Sequence, residues 1–206
     1  MQLYSNSLAL TALNGGICLL GDYLVDVNQE SQIRKAICDN ATHAIVGFFG
    51  GIVLILETNH RAAGIEQIAL VVMSVLVSSF IDIDHFLVAK SMQLSRAISI
   101  DRRPFLHFTT IPLVLMILII PLHQWIHSPR LNLWLSVFTC AFLCHHTRDA
   151  TRRGFTLWPF GTTKPLPYFV YIALVMTIPF LSDKWLNITT NGGGQYRYRT
   201  LEVLTV

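Results

Sequence analysis

Long apolar runs separated by short polar links dominate this chain. The run from Ile65 to Ile81 carries one acid, Glu66, near its start and is otherwise mostly Val, Leu, Ile, Met and Ser. A helix needs about 20 mostly apolar residues to cross a bilayer. Runs of that kind are read at Leu3–Leu20, Ala36–Leu56, Ile65–Phe86, Phe105–Trp125, Leu131–Cys144 and Pro167–Leu181. The pattern predicts an all-α fold, a polytopic membrane helix bundle of about six transmembrane helices. The count falls to five if the first run, diluted by Asn6, Asn14, Gly15 and Gly16, does not cross. One transmembrane domain, residues 1–181, is expected, followed by a flexible tail, residues 182–206, that contains Gly192, Gly193 and Gly194. Pro104 suits the first turn of the fourth helix, where a missing N–H costs nothing.

Composition agrees with that pattern. Over 206 residues, 52% are hydrophobic and only 13% are charged, against about 25% charged in a soluble domain. The mean hydropathy is +0.51. The net charge is +3 and no Lys/Arg block marks a nucleic-acid footprint. The lipid bilayer is therefore the expected environment, and nucleic acid is not an expected partner. The sequence names no protein partner. Cys18, Cys38, Cys140 and Cys144 lack a CxxC spacing and read as small buried hydrophobes.

Charge in the links sets an orientation. The first, third and fifth links hold Arg34, Lys35, Lys90, Arg96, Arg102, Arg103, Arg148, Arg152, Arg153 and Lys164. The even links and the tail hold half as many: Arg61, Arg130, Lys184, Arg197 and Arg199. The odd links are thus expected on the cytoplasmic side.

That alternation brings chemistry to one leaflet. Asp39 and His43 open the second run from the cytoplasmic side, and Asp82, Asp84 and His85 close the third there. His107 opens the fourth, and His145, His146 and Asp149 close the fifth. Asp39/His43 and His145/Asp149 are i, i+4 pairs and Asp82/His85 an i, i+3 pair, so each shares a helix face. Ionisable groups at a membrane edge are costly and need compensation. Mixed carboxylate and imidazole donors suit a divalent metal, Zn, Mn or Fe, better than Ca or Cu(I). The expected ligands are Asp39, His43, Asp82, Asp84, His85, His107, His145 and Asp149. The far-side histidines, His60, His123 and His127, read as interfacial.

At these residues the chain resembles the membrane-bound predicted metal-dependent hydrolases of the YdjM-like family. Asp39, Thr42, His43 and Gly47 match the family's Asp-x-x-Thr-His-x-x-x-Gly opening. Asp82, Asp84 and His85 match a Pro-Asp-x-Asp-His helix end in which Ile81 replaces the Pro. Arg103 and His107 match the third motif, His-Arg-Gly-x-Thr-His, and His145, Asp149, Gly154 and Pro159 roughly fit the fourth, His-x-x-x-Asp-x-x-Thr with a Gly and a Pro following. Arg102 stands where the third motif has its first His, Pro104 replaces its Gly, and Phe108 stands where a Ser usually follows. Thr151 falls one place early in the fourth motif. The resemblance implies metal-dependent hydrolysis, with Asp84 and His107 as the expected catalytic pair. Arg102, Arg103, Arg148 and Arg152 offer forks for a phosphate, which points to a phosphoester or lipid-like substrate. Two other classes stand beside this one. One is a non-catalytic structural or assembly protein that keeps the fold, favoured by Arg102 and Phe108. The other is an ion or proton transporter, which would place acids and histidines inside spans.

Overall fold

The computed structural model describes residues 2–58 and 64–191. His60 and Arg61, and the glycine-containing tail from Gly192 onward, lie outside the described residues. The chain forms α1 (Gln2–Val27), α2 (Gln32–Glu57), α3 (Gly64–Phe80), α4 (Ile83–Ala89) and α5 (Leu94–Ile98). A single 3-10 turn at Phe105–His107 precedes α6 (Thr110–Ile126), α7 (Pro129–Arg153) and α8 (Tyr168–Asn191). Between α7 and α8, β1 (Thr156–Leu157) pairs antiparallel with β2 (Gly161–Thr162).

Local chemistry accounts for several boundaries. The Ser31 side chain accepts from the Arg34 N–H at the start of α2, and Ser128 accepts from the Leu131 N–H at the start of α7. These caps satisfy donors that a helix start leaves open. At the end of α7, Gly154 has φ +73°, and a Cβ there would lie 2.0 Å from the Thr163 carbonyl oxygen. Only glycine fits that position.

By length and composition, α1, α2, α8 and the run Gly64–Ala89 can each cross a membrane, and α6 is a shorter apolar helix. Several expected boundaries move. The third run breaks at Ile81 and Asp82, where α3 ends and α4 begins. His107 lies in the 3-10 turn rather than in the first turn of a spanning helix, and Pro104 caps that turn. The fifth run does not stop at Cys144. As α7 it continues to Arg153, so His145 and Asp149 sit well inside a helix. α8 likewise passes Leu181 and runs to Asn191, so residues 182–191 are helical rather than tail.

α2 packs against α1, α3, α7 and α8. Its approach to α3 rests on small residues. A Cβ on Gly47 would lie 2.5 Å from Ser78 Cβ, and one on Gly51 would lie 2.3 Å from Ser74 Oγ. Helices in lipid gain little from hydrophobic burial against each other, so close packing of small residues carries much of their association. Ser78 Oγ also donates to the His43 carbonyl at 2.8 Å. Cys18, Val46, Leu54, Leu70, Val137, Cys140, Cys144 and Tyr171 form the buried core beside this contact. Three of the four cysteines are buried and all are free, as small apolar residues would be. Outward, α3 shows Ile65, Ile68, Val72, Leu76 and Phe80 as exposed apolar residues, the face that lipid covers.

Candidate metal centre

Three segments deliver the central side chains. The α3–α4 break turns Asp82 and Asp84 inward, the 3-10 turn presents His107, and one turn of α7 presents His145 and Asp149. One donor atom from each of Asp82, His107, His145 and Asp149 lies within 4.8 Å of the others. His107 Nε2 is 3.2 Å from Asp82 Oδ1 and 3.3 Å from Asp149 Oδ2. His145 Nε2 is 3.7 Å from Asp82 Oδ1 and 3.6 Å from Asp149 Oδ2. Donors around a tetrahedral ion with bonds of about 2.0–2.2 Å stand about 3.3–3.6 Å apart. These four separations fall at or close to that range.

Hydrogen bonds settle which histidine nitrogen faces the centre. His145 Nδ1 lies 2.8 Å from the Ser78 carbonyl oxygen. A carbonyl only accepts, so Nδ1 carries a proton, and in the neutral imidazole Nε2 keeps its lone pair for the centre. His107 Nδ1 lies 3.1 Å from Asp84 Oδ1, and its Nε2 faces Asp82 and Asp149. Asp84 Oδ2 also accepts from the Leu106 N–H at 2.7 Å. Asp84 thus holds the turn and the His107 ring, the arrangement by which an outer carboxylate orients a metal-ligating histidine. His85 Nδ1 lies 3.2 Å from Asp84 Oδ1. Asp84, His85 and His107 also form a second close group, but a His107 that gives Nδ1–H to Asp84 has only one lone pair to offer. That group is best read as support for the first.

The residues fit a divalent ion on their own chemistry. His145 Nε2 and both nitrogens of His43 are buried and lack a hydrogen-bond partner, and such groups are costly unless something pairs them. Three carboxylates crowd the centre, while among the described residues one guanidinium, Arg103, meets them there, at 3.8 Å from Asp149 Oδ2. Burial lowers the pKa of His107, but Asp149, Asp82 and Asp84 outweigh it and push the imidazole up to about 11. A proton therefore occupies the place a cation would take. Burial lowers the Arg103 guanidinium, opposed by the charge of Asp149.

His43 reaches the edge of the centre. Its ring stacks on His145 with centroids 3.9 Å apart, and its Nε2 lies 3.5 Å from Asp149 Oδ1. Asp39, expected beside it as a ligand, does not join. Arg152 grips both Asp39 oxygens at 2.7 and 2.8 Å, and Arg148 donates to the same carboxylate. The i, i+4 spacing placed Asp39 on the correct face but one turn too far along α2. Arg148 is not free for a phosphate either, being buried and held also by Asp22 at 2.9 Å. Arg152 is committed to Asp39, and Arg102 is exposed in the loop. Of the four arginines, only Arg103 faces the centre.

Two partners escaped the sequence reading. Asp22 follows the first apolar run, Leu3–Leu20, in what the pattern reads as a link, yet it lies on α1, which does not end until Val27. The Ser78 carbonyl has no sequence signal, because any residue supplies one. His146 is satisfied apart from the centre, with Nε2 donating to the Leu106 carbonyl at 2.9 Å and Thr109 Oγ1 on Nδ1 at 3.0 Å. His123, expected at the interface, meets the Asn132 side chain.

Comparison with known proteins bears on this arrangement. A family model described as YdjM inner membrane protein matches residues 38–205. Transmembrane protein 267 of Bos taurus is 30% identical over 191 residues, covering 88% of this chain and 84% of that protein. Its counterpart in Mus musculus is 31% identical over 180 residues, covering 85% and 80%. That of Xenopus laevis is 30% identical over 189 residues, covering 87% and 83%. No solved structure matches.

Proposed function

This chain belongs to the YdjM inner membrane protein family and is an integral, multi-pass membrane protein; from there we propose that its His/Asp centre holds a divalent cation, Zn, Mn or Fe, and hydrolyses a phosphoester of a lipid-like substrate at the cytoplasmic face. The observation that carries this reading is the spacing of Asp82, His107, His145 and Asp149 around one point, with His145 Nε2 left without a partner. The ion would supply a Lewis acid that acidifies water and draws charge from the ester oxygens.

The remaining residues have separate tasks. Asp84 and the Ser78 carbonyl fix the His107 and His145 rings, so Asp84 is a positioning residue rather than a catalytic one. His107, expected to be catalytic, serves as a ligand. Arg103 offers its guanidinium to a phosphate oxygen. In hydrolysis the oxygen of water bonds to phosphorus and the ester P–O bond breaks. The proton that the water loses must reach the leaving alcohol, and His85, partly exposed beside Asp84, would carry it.

Metal analysis of the purified full-length protein tests the centre. Native protein prepared with metal present retains a stoichiometric ion, and His145→Ala and Asp149→Ala lose it. Metal-free native protein under those conditions overturns the reading. A second reading, a non-catalytic membrane protein that uses the ion only to tie helices together, is favoured by the exposed Arg102 where the resembling family has a histidine. Metal retention without phosphate release from any phosphoester would select it.

A further inference from the structure

Beside the centre, the chain exposes aromatic residues on a built surface. Phe105 is 65% exposed, Trp158 60% and Phe160 90%. Phe108 joins two of them, with ring centroids 5.8 Å from Phe105 and 6.3 Å from Trp158, the latter pair nearly parallel. Phe108 bridges to Thr156, the Thr109 N–H donates to the Thr156 carbonyl at 2.9 Å, and Thr110 Oγ1 donates to the Trp158 carbonyl at 2.9 Å. The β1–β2 hairpin is therefore fastened to the turn that carries His107. That turn is fastened to the centre in its own right, through the Leu106 N–H on Asp84 and the Leu106 carbonyl on His146.

Two further observations say what covers this strip. The exposed apolar side of α3 continues past the break, because Ile83 and Leu87 of α4 are also exposed within the same run, Gly64–Ala89, which is long and apolar enough to cross a membrane. Exposed apolar side chains thus sit next to Asp84 and within two residues of His85. Exposed cations, Arg102, Arg153 and Lys164, flank the aromatic segments in the chain. Aromatic rings beside Lys and Arg are the chemistry of the headgroup level, where rings sit at the acyl boundary and cations meet anionic lipid.

We propose that Phe105, Phe108, Trp158 and Phe160 form a lip embedded in the bilayer interface, so that the centre takes a membrane-borne amphiphile with an anionic ester head rather than a water-soluble ester. The substrate half rests on the hydrolytic reading above; the placement of the lip does not.

The test uses the full-length protein in lipid nanodiscs, with metal present. With phospholipids brominated on the upper acyl chain, the fluorescence lost in Trp158→Phe relative to native protein is quenched by the lipid and shielded from aqueous iodide. Phe160→Trp adds a second reporter at an exposed position, quenched in the same way. Quenching of both reporters by iodide and not by brominated lipid overturns the lip. Phosphate release is then compared between phosphatidic acid in the disc and glycerol phosphate in solution, with release from the lipid at least tenfold faster expected. Equal or faster release from glycerol phosphate overturns the substrate half. Release from neither, with metal bound, overturns the hydrolytic reading and the substrate half with it, while the quenching result stands by itself for the lip.

Discussion

His145 on α7 donates its Nδ1 proton to the main-chain carbonyl of Ser78 on α3, across 2.8 Å. That one bond sets the tautomer of a fully buried imidazole and turns its other nitrogen toward Asp82 and Asp149. The same serine reaches back through its hydroxyl to the His43 carbonyl on α2, so a single residue registers three helices around the centre.

Ligands and supporting residues should separate in a metal titration. His145→Ala removes a donor and abolishes stoichiometric binding. Asp84→Ala leaves all four donors but frees the His107 ring, and weakens affinity about 10–100-fold, the usual scale for an outer partner. His146→Ala leaves all four donors and releases the Leu106 carbonyl of the His107 turn, so it lowers affinity by less than Asp84→Ala. Isothermal titration of the apo protein reads all three, and equal losses for Asp84→Ala and His145→Ala would count against the assigned roles.

Asp39→Ala should lower stability without removing the metal. Its carboxylate answers Arg148, which is buried but keeps Asp22 as a second partner, so the loss falls below the roughly 3–5 kcal/mol that a wholly unpaired buried charge costs. Thermal unfolding in detergent would show the loss, and metal content per folded chain would stay at the native level. Selective metal loss in a protein that still unfolds at the native temperature would return Asp39 to the ligand set.

Packing at the α2–α3 contact predicts a graded response at glycine. Gly47→Ala places a methyl 2.5 Å from Ser78 Cβ and 2.7 Å from the Ser74 carbonyl oxygen. Overpacking of this kind costs about 1–3 kcal/mol, and it also displaces the carbonyl that orients His145. Gly16→Ala meets nothing within 4 Å and should leave stability near the native value. Unfolding midpoints and metal affinity together check both.

Metal uptake should strengthen as pH rises. Without the ion, His107 holds a proton up to about 11 because Asp149, Asp82 and Asp84 outweigh the effect of burial. A raised pKa means that this contribution to apo stability is fully present below about 6.5, the unfolded value, and is lost as pH climbs through about 11. An ion at Nε2 must displace that proton, so binding releases protons and weakens in acid. Affinities at pH 6 and pH 8, measured in buffers of different ionisation enthalpy, would show the release. Affinity that is flat with pH would exclude His107 from the ligands.

Much of this architecture was legible in the apolar runs, because lipid demands backbone hydrogen bonds satisfied within each crossing segment, and helices meet that demand locally. The pairing of His145 with Asp149 was legible for the same local reason, since residues four apart share a helix face. Alternation of the runs also brought Asp82, His107 and Asp149 to one end. Spacing along one helix does not say which turn of it meets which turn of its neighbour. That depends on how closely Gly47 lets α2 approach Ser78, and on where α3 breaks. Tertiary packing therefore decided that Asp39 pairs with Arg148 and Arg152, that Asp84 stands behind His107, and that a featureless carbonyl at Ser78 aims His145. Rotation and register between helices are set by side chains far apart in the chain, and only their assembly fixes them.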